Sequence, residues 1–84
     1  MVGKAGAVTI SGIVMACRPE DLETTASAVE VLAWADVHYT DPRGRLVVTI
    51  EAADVDESID RLKELQNLPR VLTADLAQYC IDTQ

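Results

Sequence analysis

The succession of strand-like and helix-like stretches in this chain predicts an α+β fold, and two observations carry that prediction. A hairpin occupies the middle: Asp36-Val37-His38-Tyr39-Thr40 alternates, Asp41-Pro42-Arg43-Gly44 turns, and Arg45 to Ala52 alternates back. On each flank of the hairpin lies one stretch with apolar residues at helical spacing, and beyond each of these runs one more strand-like segment.

Val8 to Cys17 is apolar and β-branched with no helix cap before it, so it predicts a central strand buried on both faces. Gly12 in its middle marks a bulge or a close approach of another backbone. Pro19 suits the first turn of a helix, and Glu20, Asp21 and Glu23 complement the positive end of its dipole. Leu22, Ala26, Val29 and Ala33, with Leu32 beside them, form the stripe expected to face a core, while Glu23, Thr24, Ser27 and Glu30 face water. Trp34 is placed to plug the corner where helix passes into strand.

The hairpin turn is specific in its chemistry. Asp leads, Pro brings a preset φ, and Gly44 can take positive φ in a bulge that matches the strand twist. After the hairpin, Asp54-Val55-Asp56-Glu57 predicts a capping box, with Asp54 accepting from the third helical residue and Glu57 reaching back. Ile59, Leu62 and Leu65 or Gln66 make the second apolar stripe, and Asn67-Leu68-Pro69 ends it. Val71 to Ile81 is the last strand.

Right-handed crossovers bring both helices onto one face of the sheet. With a hairpin between them, the arrangement is a ferredoxin-like βαββαβ fold, an antiparallel four-stranded sheet of order 4-1-3-2. The other face of the sheet has no helix left to cover it.

Composition narrows the function. The 84 residues are expected to form a single domain, 1–84, with residues 1–6 a flexible tail; such a chain buries roughly 60% of its unfolded surface. Phe is absent, so Val, Ile, Leu, Ala and Met must build the core. A net charge of −7 argues against nucleic acid and against an anionic membrane surface; it fits a cationic partner or simply the net charge that keeps a small domain in solution. No run approaches the ~18 apolar residues of a membrane span, and the first residues do not resemble a signal peptide, so the expected compartment is the cytoplasm. Cys17 and Cys80 would lie on the order of 25 Å apart along paired strands, which predicts two unpaired thiols. No spacing suggests a metal or cofactor site. His38 has no nucleophile near it in the chain and no Gly-rich phosphate loop follows a strand, so an enzyme is not expected.

Strand parity selects the candidate site. Leu46, Val48 and Ile50, Val37 and Tyr39, Leu72, Ala74 and Leu76, and Ser11, Ile13, Met15 and Cys17 are expected to point to the helices. Outward go Ile10, Gly12, Val14 and Ala16; Asp36, His38 and Thr40; Val47, Thr49 and Glu51; and Thr73, Asp75, Ala77 and Tyr79. The open face then has an apolar centre of Ile10, Val14, Val47 and Ala77 around Gly12 and Thr49, ringed by Asp36, Glu51 and Asp75. An apolar patch with an acidic rim suits an amphipathic, cationic segment. A second reading is a regulatory, ACT-like domain that dimerises through its sheet and binds a small ligand such as an amino acid.

Several short stretches, taken in order, resemble the NapD family: Ile10-Ser11-Gly12-Ile13-Val14, Pro19-Glu20-Asp21-Leu22, Asp36-Val37-His38, Asp41-Pro42-Arg43-Gly44-Arg45-Leu46-Val47-Val48, Ile50-Glu51-Ala52 and Val71-Leu72-Thr73-Ala74. The likeness spans about residues 8 to 80. It implies a ferredoxin-like cytoplasmic chaperone, a monomer or weak dimer, that binds the twin-arginine signal peptide of the periplasmic nitrate reductase catalytic subunit precursor. Binding would delay export until the molybdenum cofactor has been inserted. The family tends to close its last strand with an apolar pair followed by Tyr-His, where this chain has Ala77-Gln78-Tyr79-Cys80. The client is therefore the nitrate reductase or another twin-arginine-exported molybdoenzyme.

Overall fold

The computed structural model describes residues 8–82, with side chains described through Ala77; the predicted tail of residues 1–6 and the predicted settings of Tyr79 and Cys80 side chains lie outside that description. Four strands and two helices follow in the expected order: β1 (Val8–Cys17), α1 (Leu22–Glu30), β2 (Ala35–Asp41), β3 (Arg45–Ala52), α2 (Val55–Gln66) and β4 (Val71–Asp82). All pairings are antiparallel and the spatial order is β2-β3-β1-β4, the ferredoxin-like arrangement.

The core lies between the sheet and the helices. Ile13 and Met15 of β1, Leu46, Val48 and Ile50 of β3, and Ala74 of β4 are buried there with Val29 of α1 and Leu65 of α2. Leu22, Ala26, Trp34 and Leu62 pack around them, half-buried. The parity expected for β1 holds, since Thr9, Ser11, Ile13, Met15 and Cys17 are buried while Val14 is exposed.

Each helix start has a local cause. Pro19–Asp21 forms a single 3-10 turn before α1 rather than its first α-turn. Arg18 and Arg70 both approach the Asp21 carboxylate, at 3.3 and 3.6 Å, and tie the turn to the start of β4. At α2, Asp54 Oδ1 accepts from Glu57 N–H at 2.8 Å, as the capping box requires. Glu57 Oε1 accepts from Ala53 N–H at 2.7 Å, one residue earlier than expected. α1 stops at Glu30, so Ala33 falls outside its stripe and is exposed, and Thr25 takes a buried place in that stripe instead.

The corrections to the sheet lie on its two outer strands, most of them at bulges. In β2, Val37 is opposite Val48 but Tyr39 is opposite Val47, so His38 is an extra residue. Tyr39, expected inward, therefore joins the outward row and is 56% exposed, while Thr40 falls opposite the inward Leu46. In β4, Ala77 is extra between the partners of Ile13 and Gly12, and Leu72 is extra between those of Cys17 and Ala16. Leu72, expected to be buried, is 64% exposed. Leu76 keeps its place opposite Ile13 but lies on an outermost strand and is also exposed. The bulge suggested by Gly12 thus belongs to the partner strand, and β1 stays in step with β3 from Thr9 to Ala16.

Candidate functional site: the open face of the sheet

No described element lies over the face of the sheet opposite the helices. The register arranges that face in rows running across the strands from β2 to β4. One row is Tyr39, Val47, Val14 and Asp75. The next is Asp36, Thr49 and Gly12, with the bulged Ala77 beside it. Beyond lie Glu51 and Ile10; on the opposite side lie Asp41, Arg45, Ala16 and Thr73.

All nine residues expected at the site therefore share this face: Ile10, Gly12 and Val14 from β1, Asp36 from β2, Val47, Thr49 and Glu51 from β3, and Asp75 and Ala77 from β4. Val14 and Val47, facing each other across β1 and β3, are 41% and 39% exposed. A solvent-open groove of about 240 Å³ lies at the centre, lined by Ile10, Gly12, Val14, Val47, Thr49 and Ala77. Ile13, whose side chain is buried on the helix side, also borders the groove.

Polar groups border the groove on specific terms. Thr49 Oγ1 shares a hydrogen bond with His38 Nε2 at 2.7 Å. His38 is the extra residue of the β2 bulge, which also turns Tyr39 outward. Periodicity alone gave no sign of Tyr39 on this face. Asp36, Glu51 and Asp75 are exposed, and among the described residues none of them forms an ion pair.

Farther along, Asp41 is held by its own turn. Its carboxylate accepts from the Arg43 backbone N–H at 2.8 Å and from the guanidinium at 3.2 and 3.0 Å. The side-chain bond from Arg43, and then the backbone bond, lower the Asp41 pKa to about 2. This acid is neutralised locally, whereas the three around the groove are left to the solvent.

Among the described residues no group of His, Cys, Asp and Glu is spaced to hold a metal ion, and no helix is long and apolar enough to cross a membrane. Cys17 is buried and unpaired. Cys80 stands opposite Ile10, seven strand positions from Cys17, or roughly 23 Å at strand spacing.

Comparison with known proteins places the chain in a family and matches its fold. The family model described as NapD protein matches residues 8–83. The solution structure of the E. coli Tat proofreading chaperone protein NapD superposes with a TM-score of 0.80 at 22% sequence identity, covering 84% of this chain and 76% of that one. Among curated proteins no sequence match is found.

Proposed function

The chain belongs to the NapD family, and from that premise we infer that it is a cytoplasmic chaperone for a twin-arginine-exported enzyme. It binds the signal peptide of the periplasmic nitrate reductase catalytic subunit precursor and delays export until the molybdenum cofactor has been inserted. It performs no chemistry; it acts by occupying the peptide.

The observation that supports this reading most directly is the open face, apolar at Val14 and Val47 and bordered by Asp36, Glu51 and Asp75. A twin-arginine signal is basic at one end and apolar beyond, which matches both properties. The outer strands favour the face over the edges as the place of docking. β2 and β4 are both bulged, and a bulged edge is a poor template for an added strand.

Magnitudes assign the roles. Each aliphatic anchor fully buried contributes ~1.5–3 kcal/mol, against ~0.2–1 kcal/mol for an exposed ion pair. The apolar centre therefore sets affinity, and the carboxylates steer and orient the basic end. The peptide orders as it binds, which offsets part of that gain.

Calorimetric titration with the synthetic precursor signal peptide tests the reading, alongside a twin-lysine version. The native peptide is expected to bind, and the lysine version more weakly, because an ammonium cannot make the forked contact with a carboxylate. Val14→Asp should abolish binding while Asp75→Asn only weakens it. Failure of the wild-type chain to bind the peptide would refute the assignment.

A further inference from the structure

The centre of the open face is a hole, and its cause is local. Gly12 contributes no side chain, and its outward neighbours on the same strand, Ile10 and Val14, each stand about 7 Å from it at ordinary strand spacing. Thr49 is directly opposite on β3, and on the β4 side, where the backbone of Gln78 pairs with Gly12, the described side chain at the bulge is the methyl group of Ala77. The result is the groove of about 240 Å³ described above. Large aliphatic side chains surround a position that has none.

Its polarity is also particular. The single hydroxyl on the lining, that of Thr49, already has a partner inside the protein at 2.7 Å, the ring of His38. An apolar group covering that hydroxyl would otherwise remove its water and leave it unsatisfied, which is costly. With His38 in place the hydroxyl stays bonded when water is expelled. Ringed by aliphatic carbon among the described residues, with the Thr49 hydroxyl already bonded to the neighbouring His38, the hole is suited to an apolar guest.

We propose that the hole over Gly12 is a socket for one bulky apolar side chain of the docked signal peptide. This rests on the peptide-binding reading above and adds to it that a single side chain, rather than general greasiness, sets the register of the apolar stretch. His38 is then a positioning residue that acts through Thr49. The acids on either side, Asp36 next to Thr49 and Asp75 next to Val14, bracket the socket, so the seated side chain also fixes where the basic pair can lie.

The test fills the socket from two sides and leaves the rim alone. Gly12→Val adds a β-branched side chain that a strand accepts, and Ala77→Leu fills the same space from β4. Thermal melting and an NMR amide fingerprint establish that each variant is folded. In titration with the precursor signal peptide, both folded variants should bind roughly tenfold or more weakly than wild type, the loss of one aliphatic anchor. An alanine scan of the peptide, needing no protein variant, should find one apolar position whose loss dominates.

If wild type binds but the filled variants bind equally well, or the scan spreads its losses evenly over the apolar positions, the socket is refuted and the chaperone reading stands. If wild type does not bind the peptide, both fall together.

Discussion

Gly44 carries the hairpin turn directly against the end of β1: its carbonyl accepts the Cys17 backbone N–H at 2.8 Å, and its own φ is +99°. A Cβ at this position would stand 2.1 Å from the Cys17 carbonyl oxygen. The site thus requires glycine twice over, for its dihedral angle and for its space. The obstruction is backbone, which cannot swing aside as a flexible side chain can.

Gly44→Ala is therefore expected to destabilise the fold by about 3 kcal/mol or more, since left-handed strain alone costs ~1–3 kcal/mol and β1 must also shift. Urea denaturation measures it. A loss below about 1 kcal/mol, the scale of an ordinary glycine replacement, would show that the contact is not enforced.

Thr25 is 1% exposed in α1, and among the described residues its hydroxyl has no hydrogen-bond partner. Thr25→Val keeps the shape and removes the orphaned group, so it should stabilise the protein by about 1 kcal/mol, the low end of the desolvation penalty. A drop in the denaturation midpoint would instead reveal a polar partner for that hydroxyl in solution.

The hairpin turn should have its own pH dependence. In the folded state the Asp41 pKa is depressed to about 2 from 3.8, chiefly by its hydrogen bond from Arg43. A depressed acid stabilises fully above its unfolded pKa, and that contribution is lost as pH falls through the folded value. The stability gap between wild type and Asp41→Asn should accordingly hold above about pH 4 and narrow toward pH 2. Urea midpoints compared across that range provide the measurement, and a gap that stays constant would rule out the charged pair as its source.

His38 and Thr49 should prove coupled in peptide binding. His38→Ala leaves the Thr49 hydroxyl to be covered without a partner, and affinity should fall about fivefold for a cost of ~1 kcal/mol. Thr49→Val in the same background removes the hydroxyl and should restore most of the loss. Additive effects in this cycle would mean that His38 touches the peptide itself, not through Thr49.

Much of this fold was legible before any coordinates. The turn residues Asp41 to Gly44, the cap at Asp54 and the helical stripes around Val29 and Leu65 are local signals, each with a cause within a few residues of chain. Alternation in β1 and β3 was equally readable, because these two strands stay in step with each other from Thr9 to Ala16. That sufficed to bring Ile10, Gly12, Val14, Val47, Thr49 and Glu51 onto the open face, six of the nine expected residues.

Tertiary structure alone decided where the outer strands slip. The extra residues His38, Leu72 and Ala77 are defined only against a partner strand, and no pattern within the segment itself reveals them. Those slips turn Tyr39 outward, expose Leu72 and set Ala77 beside the groove over Gly12. Local chemistry thus determined the order of elements and the sidedness of the central strands. Pairing across distant segments determined the contour of the face, because a bulge is a relation between two strands.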